Sequence, residues 1–316
     1  METFLDIFGF SFGITGPIFV IMGLGILLMR IGLLTDAFIE AGTRMVFTIA
    51  LPSLLFLSIA RTRITEQANL PLIAFGIVMT IVVYLLLEWY ARARITPERD
   101  RGVVVQGIFR SNMGVIGLAY CVNAYGEPGL LAASLYLGLV TIVFNILSVI
   151  TLSRSLQRRQ GAWRIVRGIV TNPLIIGIVL ALPISWFGLR LPPILQQSTQ
   201  YLADLTLPLA LLCTGAALNF RSLREEIGNT LQVTVGKLVV IPVVFTLGGL
   251  AVGFRGIDLG IVMLMASAPT AAASYVMVRA MGGNATLAAN IVALTTLGSL
   301  FTTSLGVMLL RSLDLM

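Results

Sequence analysis

Three ionisable residues, Arg110, Asp204 and Lys237, fall inside stretches of the 316-residue chain that are otherwise apolar. Each would cost on the order of 3 kcal/mol at the centre of a membrane helix, so each is expected to have a partner or a wet surface. Arg110 lies two residues before Asn112, in a polar interruption formed by Ser111, Asn112, Met113 and Gly114 within GIFRSNMGVIGL. A second interruption, Ser267, Ala268, Pro269 and Thr270, sits within MLMASAPTAAASYVMV. A helix broken at membrane depth frees backbone groups that survive only when buried in protein or lining a wet cavity. Its second half begins with unpaired N–H donors and partial positive charge, which suits a carboxylate. Asn112 is expected to N-cap a half-helix starting at Met113, and Ser267 or Ala268 to cap one in which Pro269 holds an early position. The chemistry to which these residues point is binding of a small anion at the breaks, with Arg110 attracting it. The plainer alternative is a packing kink at Pro269 and a close helix contact at Gly114 and Gly117.

Lys237 is the only lysine in the chain. It could be a counter-charge for substrate, a coupling group, or half of an ion pair with Asp204. Asp204 is a candidate for proton coupling, or a favourable first-turn carboxylate near the start of its helix. Ser58 and Thr214, with Asn145, Asn290, Thr295 and Thr296, add polar groups on neighbouring helices, although such groups more often bond to backbone or to an adjacent helix. With no histidine, His-based metal sites and His proton relays are excluded. The single lysine follows no Gly-rich loop, so no phosphate-binding loop is present. Cys121 and Cys213 lie in apolar segments and read as small buried hydrophobes. No cofactor and no metal are expected, and the chain is not expected to be an enzyme.

The elements that must position these residues follow from composition. The chain is 57% hydrophobic and 11% charged, with a mean hydropathy of +0.97, which a soluble domain of this length could not bury. An all-helical integral membrane protein is expected. No cleavable-signal pattern is visible at the start, so the first helix is expected to serve as its own insertion signal. Windows of about 20 apolar residues, each suited to crossing a bilayer, lie near 10 to 29, 41 to 60, 70 to 90, 102 to 120, 129 to 152, 168 to 187, 197 to 219, 229 to 252, 258 to 280 and 285 to 310. Trp89, Tyr90, Trp163 and Trp186 fall near their ends, as interfacial anchors should.

Sliding the sequence by 156 residues carries Ser111 onto Ser267, Met113 onto Pro269, Pro17 onto Pro173 and Leu51-Pro52 onto Leu207-Pro208. The chain therefore reads as two repeats, residues 1–152 and 168–316, joined by a basic linker at 153–167. An odd number of crossings per repeat inverts the second, and breaks at matching positions of two halves point to a transporter's binding site. Arg30, Arg44, the cluster from Arg92 to Arg101, the linker, Arg221, Arg224 and Arg279 fall on one side of the membrane. Arg61, Arg63, Arg190, Arg255 and Arg311 fall on the other. The positive-inside rule then places both termini on the non-cytoplasmic side of a cell inner membrane. The net charge of +7 and the pI near 10.0 are explained by that topology and call for no nucleic acid.

The motifs ALPSLLFLSI (Ala50 to Ile59), RSNMGVIGL (Arg110 to Leu118), NPLIIGIVL (Asn172 to Leu180), LTLPLALLCTGAAL (Leu205 to Leu218) and MASAPTAAASYVMVRAMGG (Met265 to Gly283) make the chain resemble bacterial members of the auxin efflux carrier family. The resemblance covers essentially the whole chain. It implies ten transmembrane helices as two inverted five-helix repeats, with broken helices 4 and 9 crossing at the substrate site. It also implies a scaffold of helices 1, 2, 6 and 7 that often dimerises, and an elevator-like movement of the rest. Its substrates are organic anions: auxin in plants, malate or malonate in some bacterial relatives. The family's crossover Asn matches Asn112 and its second crossover proline matches Pro269. Met113 stands where the first would be, and the long cytoplasmic loop of the plant carriers is absent. The expectation is a secondary carrier of small organic anions, with a proton as candidate coupling ion, working in the lipid bilayer as a homodimer. The alternatives are a sodium-coupled symporter of the bile-acid carrier type and a channel or receptor on the same fold.

Overall fold

The computed structural model describes residues 4–61, 69–156, 170–171, 173–217 and 227–316. Among them every regular element is helical, and the one extended pairing is an isolated antiparallel bridge between Ser111 and Thr270. Helix α1 (Phe4–Arg30) is followed by α2 (Asp36–Met45), which Thr35 caps by accepting the Phe38 N–H at 3.2 Å. A π-helical turn, Val46–Ala50, carries α2 into α3 (Leu51–Ala60). After α4 (Leu70–Arg94) comes the first broken pair, α5 (Arg101–Phe109) and, past a π-helical turn at Met113–Gly117, α6 (Leu118–Ser155). Then follow α7 (Pro173–Phe187), α8 (Pro193–Asp204), α9 (Thr206–Ala216) and α10 (Ile227–Val235), which a π-helical turn at Gly236–Val240 joins to α11 (Ile241–Val252). The second broken pair is α12 (Gly256–Ser267) and α13 (Ala272–Ala280), and α14 (Ala285–Ser312) ends the chain.

Prolines explain several irregularities. Pro52, Pro208 and Pro242 have no N–H for the carbonyl four residues earlier, at Thr48, Asp204 and Leu238. At Thr48 and Leu238 the backbone answers with a π-helical turn, and at Asp204 the helix stops. Gly126, at φ 61° and ψ −140°, breaks the regularity of α6 two residues before Pro128.

Among the described residues, six stretches are long and apolar enough to cross a membrane: Gly13–Arg30, Asp36–Leu57, Leu70–Arg94, Met113–Ser155, Ile227–Val252 and Ala285–Ser312. The helices Ile175–Phe187 and Gly256–Ser267 are apolar but shorter. The windows expected at 102 to 120, 197 to 219 and 258 to 280 are each divided in two, at Arg110 to Asn112, at Leu205 and at Ala268 to Ala271.

Helix α1 lies on α9 with backbone against backbone. A Cβ on Gly215 would stand 2.1 Å from the Met22 carbonyl oxygen, and one on Gly25 would stand 2.2 Å from that of Leu212. In the same group α3 packs on α7, where Gly177 faces the Pro52 carbonyl. A second group gathers α4, α5 and α6 with α11, α12 and α14. The outer ends of the broken helices are held by amides that also cap other helices. Asn69, the N-cap of α4, donates from Nδ2 to Asp258 at 2.6 Å. Asn284, the N-cap of α14, donates to Asp100 at 3.2 Å. Cys121 and Cys213 are buried and free, and Trp89 and Trp186 are exposed near helix ends. Residues 157–167 of the basic linker, with Trp163, and Arg63, Asn172, Arg221 and Arg224, lie outside the described residues.

Candidate functional site

The two interruptions meet. Asn112 donates its backbone N–H to the Pro269 carbonyl at 2.7 Å, and Ala271 donates to the Arg110 carbonyl at 3.0 Å, so the strands of chain between the half-helices pair with each other. Gly117 lets them approach, since a Cβ there would meet Met265 Sδ at 2.9 Å and the Ala268 Cβ at 3.4 Å. Thr270 ties the second break to the carbonyl end of α5: its Oγ1 donates to the Gly107 carbonyl at 2.6 Å, while its N–H donates to Thr295 Oγ1 at 3.2 Å.

A cavity of about 410 Å³ opens beside this crossing. Arg110, Ser111, Asn112, Met113 and Gly114 line it from the first break, and Ala271 and Ala273 from the second. The starts of both second halves, after Asn112 and Ala271, thus face one space, where their N–H groups and partial positive charge favour an anion. Arg110 is 7% exposed. One of its terminal nitrogens donates to Asn145 Oδ1 at 2.7 Å, and the other points at Met277 Sδ. Among the described residues no carboxylate pairs with Arg110; the ion pairs there join Arg92 and Arg154 to Glu88, Arg99 to Asp100 and Arg101 to Glu98.

Other expected residues are placed differently. Asn112 holds the N-cap position, but its side chain makes no capping bond; its carbonyl takes the N–H groups of Ile116 and Gly117 instead. Pro269 does not open a half-helix. A residue before proline is pushed out of the helical region, and the chain stays extended from Ala268 to Ala271, so α13 starts only at Ala272. Pro269 contributes a carbonyl to the crossing rather than an early helical position. Asp204 is not near the start of its helix: it is the last residue of α8, exposed, and accepts a bond from Gln200 at 2.6 Å. Lys237 makes no ion pair with Asp204. Fully buried, it donates from Nζ to Ser111 Oγ and to the Ala266 carbonyl, 3.0 Å away.

Ser267 is buried behind the crossing, with its Oγ 3.6 Å from Met263 Sδ, and Thr303 reaches its carbonyl. Ser58 lies on α3, and its side chain falls outside the described residues. Phe47, Thr48, Thr141 and Phe144 also line the cavity and carry no motif. The spacing of Thr141 and Asn145, one turn apart in an apolar helix, was a usable signal for one of its walls.

A family model described as "Membrane transport protein" matches residues 14–307. The chain is 26% identical over 259 residues to an "Uncharacterized transporter" of Methanothermobacter thermautotrophicus, covering 80% of this chain and 83% of that one. It is 24% identical over 259 residues to another so named from Methanocaldococcus jannaschii, covering 78% and 81%. With a "Putative malonate transporter" of Rhizobium meliloti it shares 26% identity over 279 residues, 84% of either protein.

Proposed function

The chain belongs to the membrane transport protein family, whose auxin efflux carriers its motifs resemble, and from that premise we propose that it is a secondary carrier for small organic anions, with auxin-like monocarboxylates or dicarboxylates of the malate or malonate kind as substrates. One observation carries this reading: the cavity at the crossing joins two helix starts to a buried Arg110 that has no acid partner among the described residues. A carboxylate bound there would receive N–H donors at one end and a guanidinium at the other. The Rhizobium meliloti relative named for malonate supports the substrate class.

Substrate would bind at Arg110, Ser111, Asn112 and Gly114, with Pro269, Thr270 and Ser267 holding the second break in place. The described helices, joined across their breaks and divided at Gly126, accord with ten crossings in two inverted repeats, residues 1–152 and 168–316. On this reading α1 to α3 and α7 to α9 are the scaffold and the dimer-forming part. The crossing and the helices around it travel against that scaffold in an elevator-like stroke of alternating access. The distribution of Arg favours an inner-membrane protein with both termini outside the cytoplasm. Asp204, exposed on α8, could link a proton only at the scaffold, whereas Lys237, the other candidate, meets the crossing itself.

Binding to the native state raises apparent stability by mass action. Thermal melting of purified protein with a panel of carboxylates should show stabilisation by malonate or malate that Asn112→Ala and Arg110→Gln lose, and proteoliposomes should show saturable counterflow of the same anion. Stabilisation by cationic or neutral ligands only would overturn the anion reading. Conductance at channel rates would overturn the carrier, and counterflow that needs sodium would favour a sodium symporter.

A further inference from the structure

The crossing has a second polar face. Both broken helices end their first halves there, α5 at Phe109 and α12 at Ser267, and a helix C-terminus carries partial negative charge. In carriers built on discontinuous helices, such carbonyl ends are where a coupling cation is held. Here Thr270 Oγ1 covers the Gly107 carbonyl in the last turn of α5. The Ala266 carbonyl, in the last turn of α12, receives the ammonium of Lys237, which also bonds to Ser111 Oγ. Ser111 lines the cavity and Lys237 does not, so the lysine reaches the crossing from behind and meets the site through one hydroxyl.

Two features set this cation apart. It is 0% exposed and, among the described residues, has no carboxylate partner, so the dipolar oxygens of the crossing are what compensate it. It is also the sole lysine in a chain whose other basic side chains are all arginine. An ammonium is a compact point charge with rotatable donors, close to a bare cation in its demands, whereas a guanidinium is a wide planar fork.

We propose that Lys237 is a tethered counter-ion: its ammonium fills the place behind the crossing that a free alkali cation would take, so the carrier holds its anion site in shape without recruiting sodium. The proposal rests on the reading of the crossing as the substrate site, and it says which ion that site does without.

The test is thermal melting of purified protein in sodium, methylammonium or choline chloride, with no substrate. The wild type should melt at the same temperature in sodium as in choline. Lys237→Ala should melt lower and recover on the order of 2 to 5 °C in methylammonium or sodium, but not in choline. Lys237→Met, which refills the space without charge, should not respond. Sodium-specific stabilisation of the wild type would overturn the proposal, as would a folded Lys237→Ala that ignores every cation. Should that variant not fold, Lys237→Gln, whose amide oxygen can complete a cation's shell, takes its place with the same two outcomes. Malonate counterflow by the wild type separates the two readings: cation rescue without counterflow removes the substrate and keeps the tethered ion, and counterflow without rescue does the reverse.

Discussion

Asn112 and Pro269, which are far apart in sequence, share a backbone hydrogen bond of 2.7 Å at the centre of the fold. Pro269 keeps Ala268 extended and so holds its own carbonyl outside any helix, free to accept. Pro269→Ala permits α12 to wind on and draw that carbonyl into its own helix. Transport should fall about tenfold or more, equivalent to roughly 1.4 kcal/mol of lost site geometry, while the protein still folds. Malonate counterflow beside a melting curve checks this; unchanged counterflow would mean the crossing tolerates a continuous helix.

Arg110 is held by Asn145 at 2.7 Å, points its other terminal nitrogen at Met277 Sδ and lines the cavity. Hydrogen bonds to charged groups are worth about 1.5 to 3 kcal/mol, so Arg110→Gln should weaken malonate binding by roughly 30-fold, since about 2 kcal/mol corresponds to that factor. Asn145→Ala keeps the charge and loosens its aim, so its effect on affinity should be the smaller of the two. Titration by calorimetry or by thermal shift reads both.

The α1 and α9 helices touch through glycine, with the place for a Gly215 Cβ only 2.1 Å from the Met22 carbonyl. Gly215→Val should force the helices apart and cost about 1 to 3 kcal/mol or more, as overpacking does. Gly23→Ala, on the same α1 helix with nothing within 4 Å of its new methyl, is the control and should be neutral or slightly stabilising. Melting temperature and monodispersity in detergent measure the contrast.

Asn284 caps α14 and donates to Asp100. Asp is as good a cap as Asn, so Asn284→Asp keeps the cap and sets two carboxylates together, attenuated by Arg99 at 4.0 Å from Asp100. The variant should melt lower at neutral pH. Its deficit should shrink as pH falls, starting above the ordinary carboxylate range, because the like charges raise the affinity of one partner for a proton and protonating either removes the repulsion. A deficit independent of pH would mean that the amide contributes by its shape alone.

The breaks themselves were legible in the sequence, because the polar or small residues Ser111, Asn112 and Gly114, and those from Ser267 to Thr270, stand out inside membrane-length apolar runs. The partners of the charged residues were not. Lys237 and Asp204 looked available to each other, yet Lys237 bonds to Ser111, 126 positions away, and Asp204 ends a helix because Pro208 cannot donate to its carbonyl. The Pro208 signal was present and pointed to that stop. The choice of Ser111 over Asp204 was not, since it depends on which helix faces lie together. Asn112 was likewise legible as the residue at the break but not as a backbone donor, because its partner Pro269 lies in the other half of the chain.

The two amide clamps, Asn69 on Asp258 and Asn284 on Asp100, together with the shared backbone at the crossing, form a truss. The start of α4 braces the outer end of α12, α12 meets α5 at the middle, and the outer end of α5 is braced by the start of α14. A load applied at any one strut is carried by the others, and cutting one clamp would introduce slack at the crossing without touching a residue that lines its cavity.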